Sequence, residues 1–153
     1  MTIIGAGPAG LTLAALLCKY RPQTRVLVLD KREVPGHKVG ESMILDINRI
    51  LQDMDALDAV ANAGFIPKHG ASFVWGAERR PVHFLWADED ALNTVLDDSH
   101  WPWTWHVERH RYEMLLEDCA RGHGAEVARG VDVVGVEQEG ERVIGVRCRG
   151  GDN

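Results

Sequence analysis

Gly5, Gly7 and Gly10 fall in the order G-x-G-x-x-G, with Ala6, Pro8 and Ala9 between them, and Asp30 follows 20 residues after the last glycine. These residue types at this spacing suit the binding of a dinucleotide. The first glycine permits a tight turn, the second lets backbone approach a pyrophosphate, and the third lets a helix pack close to a strand. A helix beginning there offers unpaired N–H groups and a positive dipole end to phosphate. An acid at the end of the next strand accepts hydrogen bonds from ribose hydroxyls. The same glycines also suit a purely structural turn that caps a helix, and they do not separate FAD from NAD.

The elements around the glycines must hold them in place. Residues 2–4 read as the tail of a strand, and residues 8–20 as a helix with Pro8 in the first helical position, where a missing N–H costs nothing. Leu13 and Leu17, one turn apart with Ala14 beside them, are expected on its buried face. Arg21-Pro22 ends the helix, and residues 25–30 form a second strand with a buried, parallel look. Together they make a βαβ unit. A glycine-punctuated loop follows over 31–42. Helical periodicity then returns over 44–63, in two pieces broken near 53–55 and stopped at Gly64. Residues 71–75 and 82–86 read as strands, and 87–100 as an acidic, exposed segment. A helix over 108–121 stops at Gly122 and Gly124, and strands over 131–137 and 143–148 form a hairpin. The expected fold class is α/β. It is a Rossmann-like βαβ fold with an inserted mixed region and a C-terminal β-hairpin. As one domain, 1–43 and 106–153 would bind the dinucleotide, and 44–105 would be the insertion.

Bulk composition narrows the partners. The 153 residues carry a formal net charge of -6, which argues against nucleic acid or an anionic membrane as a partner. Cys18, Cys119 and Cys148 form no CxxC pair, so a reducing, cytoplasmic setting is expected. The apolar start lacks the basic region of a signal peptide and is too short and glycine-rich for a membrane span. The seven histidines show no paired metal-ligand spacing.

The loop Pro35-Gly36-His37-Lys38-Val39-Gly40-Glu41-Ser42 carries a further signal. G-x-G-P-A-G, an acid at the second strand end and then H-x-V-G-E-S resemble the flavin-dependent halogenases and their monooxygenase relatives. The resemblance continues through 64–76 (GFIPKHGASFVWG), 106–116 (HVERHRYEMLL), 124–127 (GAEV) and 143–147 (VIGVR), and is weakest around 87–100. It implies FAD as cofactor, in a p-hydroxybenzoate hydroxylase type of fold. The implied FAD contacts are Gly5, Gly7, Pro8, Ala9, Gly10, Asp30, Lys31, Gly40, Glu41, Ser42, Arg109 and Val133. Lys68, in a Lys-x-Gly-x-x-Phe pattern with Gly70 and Phe73, falls where the family carries its catalytic lysine. In such enzymes reduced flavin, oxygen and halide give an oxidant that this lysine holds or captures near a small organic substrate. A separate flavin reductase or another NAD(P)H source would supply the electrons.

Each of these residues also has a plainer use. Lys68 suits a solvated loop lysine, Glu41 and Ser42 suit the N-cap region of the helix near Ile44, and Arg109 suits an ion pair with Glu113. Trp101-Pro102-Trp103-Thr104-Trp105 resembles a family signature, but His106-Val107 follows where Ile-Pro is expected, so it reads as aromatic packing or a substrate-side wall. The family continues past the equivalent of Asn153 with a second FAD-contacting motif and a catalytic glutamate. The first strand is also short, so the chain is expected to be cut at both ends or to be a truncated product. An FAD-dependent monooxygenase, an isoprenoid-reductase-like flavoprotein and a non-catalytic nucleotide-binding module remain alternatives.

Overall fold

The computed structural model describes residues 1–85 and 103–149. The acidic segment expected at 87–100 lies outside the described residues, as do Trp86, Trp101 and Pro102.

A three-stranded parallel sheet forms the centre, in the order β1 (Thr2–Ile4), β2 (Leu27–Asp30) and β7 (Glu126–Arg129). Ile3 lies beside Val28, and Val28 beside Val127, so one apolar row crosses the sheet. Helix α1 (Pro8–Tyr20) links β1 to β2, and helix α4 (Arg109–Gly122) leads into β7. The two helices pack on each other through small side chains. Ala14 and Ala15 of α1 and Ala120 of α4 are fully buried with Leu11 and Leu116 in the same core. Small residues let the helix axes approach closely.

The expected parallel βαβ unit is present, with two adjustments. Strand β2 starts at Leu27 rather than Arg25. The buried stripe of α1 is Leu11, Ala14, Ala15 and Cys18, while Leu13 is 48% exposed. At 3.6 residues per turn, Leu13 sits about 200° around the helix from Leu11 and off that stripe. Leu17 is only partly buried against the core.

The expected helix break is also present, between α2 (Asp46–Asp53) and α3 (Leu57–Ala61). Asp55 takes a left-handed φ of 61° there. Its carboxylate meets Lys19 of α1 at 2.9 Å, and Asp53 accepts a hydrogen bond from the Tyr20 hydroxyl. The break is thus fastened to the end of α1.

Two antiparallel hairpins, β4 (Gly70–Val74) with β5 (Pro81–Leu85) and β8 (Val133–Glu139) with β9 (Arg142–Cys148), match the expected strand pairs closely. Strands β3 (Ile66–Lys68), β6 (Thr104–His106) and β7 were not expected. Strands β3 and β6 pair with each other antiparallel, and the backbone of Glu41 to Met43 lines the other edge of β6.

The packing of α1 gives a first prediction. A Cβ added at Gly10 would lie 2.0 Å from the Gly5 carbonyl oxygen and 3.3 Å from Ile3 Cγ2. Gly10→Ala is therefore expected to cost at least about 1–3 kcal/mol in thermal or urea unfolding, the penalty of overpacking. Unchanged stability would contradict this contact.

The two tyrosines give a second. Burial pushes the Tyr112 phenol up to about 12 against the opposing charge of Arg109, and the hydrogen bond to Asp53 raises Tyr20. Ultraviolet titration should place both phenolate transitions above the ordinary value of about 10, with Tyr112 the later of the two. The unfolded chain loses these protons first, so stability is full below about pH 10 and falls as pH rises toward 12. A phenolate transition at the ordinary value in the folded chain would refute both environments.

Candidate functional site

Two different constraints build the glycine turn. Gly5 donates to Leu29 O at 2.7 Å with a φ of 104°, a conformation that L side chains rarely adopt. Gly10 is required by the packing described above. Gly7 is required by neither, since a Cβ there would meet nothing within 4 Å. Gly7 caps α1 in an extended conformation, without a side-chain cap and with no acid in the first turn. The open amides and dipole end of α1, with no side chain standing over them, suit an external phosphate.

Asp30 serves the turn and the following loop together. Its Oδ2 accepts the Ala6 amide at 2.7 Å and its Oδ1 the Arg32 amide at 2.8 Å. Burial pushes its carboxyl up, but the amides of Arg32 and Ala6 and the charges of Arg129 and Lys38 outweigh it, so its pKa lies below the usual range. The carboxylate is therefore ionised at neutral pH and still has lone pairs free, because each oxygen can accept twice.

A cleft of about 400 Å³ opens beside it, with Ile4, Gly5, Asp30, Lys31, Lys38 and Val133 among its walls. Four residues singled out from the sequence, Gly5, Asp30, Lys31 and Val133, thus meet around one cavity. Gly7, Pro8, Ala9 and Gly10 form the adjoining helix start. Gly40, Glu41, Ser42, Arg109 and Lys68 are not among its described walls.

The loop residues are placed differently from their expected plainer roles. Val107 N donates to Glu41 O at 2.7 Å, Met43 N donates to Trp105 O at 3.1 Å, and Ser42 bridges His106. Ser42 does not cap α2, whose N-cap is Leu45 with no side-chain bond. The backbone is held against β6 instead, and the Glu41 and Ser42 side chains are exposed.

Arg109 makes the ion pair with Glu113, at 2.8 Å, and also donates to Val39 O at 2.6 Å. Lys38 takes the other Glu113 oxygen at 2.7 Å. Glu113 is fully buried. Gly40 has a φ of 86°, and a Cβ on it would lie 2.8 Å from Arg109 Nη1. The sequence reading treated Glu113 only as a possible partner of Arg109 and missed its hold on Lys38. The available signal was its position on the α4 stripe of Tyr112, Leu116 and Ala120, where a charge needs partners.

Lys68 lies half-buried on β3 rather than on a solvated loop. It faces Thr104 across the strands and donates to Met43 O at 2.6 Å. Burial pushes its amine pKa down. Trp105 is buried, and Trp103 tilts against His69 with ring centroids 5.9 Å apart.

Glu113→Gln would leave Lys38 and Arg109 without their shared counter-charge. Removing one partner of a buried ion pair costs about 3–5 kcal/mol, and amide exchange at residues 38–40 should accelerate. Exchange that stayed unchanged there would show that this network does not hold the loop.

Comparison with known proteins places this geometry. Residues 1–97 match the sequence model of the family described as tryptophan halogenase. Tryptophan 2-halogenase of Chondromyces crocatus is 30% identical over 145 residues, which is 95% of this chain and 25% of that protein. A 1H-pyrrole-2-carbonyl-[peptidyl-carrier protein] chlorinase of Pseudomonas fluorescens is 28% identical, over 90% of this chain and 32% of that protein. The structure of the myxobacterial chondrochloren halogenase, a variant of FAD-dependent halogenases, superposes with a TM-score of 0.82 and 33% identity over 97% of this chain and 32% of that one. The chain therefore spans about a quarter to a third of the length of such relatives. A Thermoplasma acidophilum protein like a geranylgeranyl bacteriochlorophyll reductase shares the fold, at a TM-score of 0.70 and 24% identity. With the family match covering more than half of its residues, the chain belongs to the tryptophan halogenase family.

Proposed function

We propose that this chain is the FAD-holding part of a flavin-dependent halogenase, with Lys68 as the reactive amine. The observation that carries this reading is the cleft, where Gly5, Asp30, Lys31 and Val133 meet next to the open first turn of α1. The bare Cα of Gly7 and the uncapped amides fit a pyrophosphate, and the ionised Asp30 fits ribose hydroxyls. Gly40, Glu41, Ser42 and Arg109 hold the loop that would lie along the rest of the cofactor, and residues 44–105 form the substrate side.

Reduced FAD, when bound, supplies the electrons with which oxygen oxidises a halide. Lys68 Nζ then either donates a hydrogen bond to hypohalous acid or takes the halogen as an N–halogen bond with release of water. Its lowered pKa leaves more neutral amine at pH 7 than an exposed lysine would have. The partners are a small organic substrate, halide, oxygen and a source of reduced flavin. The three thiols are free, and a cytoplasmic setting suits them.

Two substitutions test this on the complete gene product. Asp30→Asn should weaken FAD binding by about 1–2 kcal/mol, roughly five- to thirtyfold in Kd. Lys68→Ala should abolish halide incorporation, read by mass spectrometry, while reoxidation of flavin by oxygen continues. Full halogenation by the lysine variant would remove Lys68 from the chemistry, and unchanged FAD affinity would remove Asp30 from the cofactor site.

A further inference from the structure

Two buried side-chain oxygens near the Lys68 strand, Asn48 Oδ1 and Thr104 Oγ1, have no hydrogen-bond partner among the described residues. Asn48 is 7% exposed and Thr104 not at all. Buried polar atoms are nearly always partnered, by protein or by an ordered water. A third such atom, Arg109 Nε, belongs to the separate ion network around Glu113.

Both residues adjoin the start of β6. Asn48 Nδ2 donates to Trp103 O at 2.8 Å, which fixes the amide next to the residue that precedes Thr104. Thr104 is the cross-strand partner of Lys68. Such partners share a face, with Cβ atoms about 4.5–5.5 Å apart. Lys68 reaches Met43 O, and Met43 is bonded to Trp105 on the far edge of β6. The lysine stem therefore crosses β6 on the face that carries the Thr104 side chain.

We propose that Thr104 and Asn48 are positioning residues for Lys68, their two oxygens holding one buried water that also accepts a hydrogen bond from the lysine ammonium. The water donates its two hydrogens to Asn48 Oδ1 and Thr104 Oγ1 and accepts one from Nζ. That makes three bonds, the usual number for a buried water. The ammonium is then fixed between Met43 O and the water, and the water favours the charged lysine. The functional value of this rests on the reading of Lys68 as the reactive amine. The tests below require no halogenation.

Thr104→Val keeps the shape and removes the hydroxyl. If that hydroxyl is truly unpartnered, the substitution raises the melting temperature or leaves it unchanged; if it holds the water, the temperature falls by several degrees. We expect the fall, and we expect it to shrink in a Lys68→Met background. A water unconnected to the lysine would give the same fall in both. The rate at which an amine-acylating reagent labels Lys68, measured by peptide mass spectrometry against exposed Lys31, should rise several-fold in Thr104→Val. It should return to the parent rate in Thr104→Ser.

In the unmodified chain, a nuclear Overhauser contact between the Thr104 methyl and a long-lived water gives a readout that depends on no variant. A stable or stabilised valine variant, an unchanged labelling rate, equal falls in both backgrounds or the absence of that water contact would each overturn the proposal. If Lys68→Ala kept its halogenation while these results held, the water would stand and only the chemistry assigned to Lys68 would fall.

Discussion

The carboxylate of Glu113 is the constraint on which most of the arrangement depends. It is fully buried on α4, and each of its oxygens meets a cation, Lys38 at 2.7 Å and Arg109 at 2.8 Å. A buried carboxylate without partners costs several kcal/mol, so the sequence must bring both cations to it. Lys38 is itself in the loop, and Arg109 grips the Val39 carbonyl, so satisfying Glu113 fixes the course of residues 38–40. The next three residues run alongside β6, bonded to Trp105 and Val107, β6 pairs with β3, and β3 carries Lys68, whose ammonium returns to Met43. One ion network on one helix thus sets where Lys68 can stand.

The same helix reaches the parallel sheet through a second carboxylate, one turn further on. Glu117 pairs with Arg129 of β7 and with Arg121 of its own helix. Burial pushes Glu117 up, but these two guanidinium groups prevail and its pKa lies below the usual range. Strand β7 is bonded to β2 with Arg129 beside Asp30, so the edge of the cleft is anchored to α4 as well. The spacing of Glu113 and Glu117 is that of neighbouring residues on one helix face. Helix α4 therefore ties together the cleft beside Asp30 and the strand that carries Lys68.

Local pattern made much of this legible. The glycine turn, the proline at the head of α1, the break near Asp55 and the two hairpins all follow from signals a few residues long. Lys31 and Val133 were drawn from the family resemblance, and they share a cleft with Gly5 and Asp30. What stayed hidden depends on contacts far apart in sequence. Strands β3, β6 and β7 have three or four residues each and become strands because of their partners; β3 even contains Pro67. Leu13 is as apolar as Leu11, yet only the position of α4 decides which of them is covered. Glu113 read as a surface ion-pair residue because nothing local shows that Lys38, 75 residues earlier, will meet it.

The Lys-x-Gly-x-x-Phe pattern shows how much of a short motif packing alone can require. A Cβ at Gly70 would lie 2.0 Å from the Phe84 carbonyl oxygen, so β4 can approach β5 only if that residue is glycine. Phe73 meets Phe84 edge-on, with centroids 5.5 Å apart, and fastens the same hairpin. Gly70 and Phe73 fix the hairpin that begins immediately after β3, and so fix where the strand carrying Lys68 must end. Lys68 alone turns back toward Met43. Two of the three residues in the motif therefore report a fold requirement. The pattern gains its meaning for function only through the position of Lys68, beside Thr104 and on the far side of β6 from the loop that it holds.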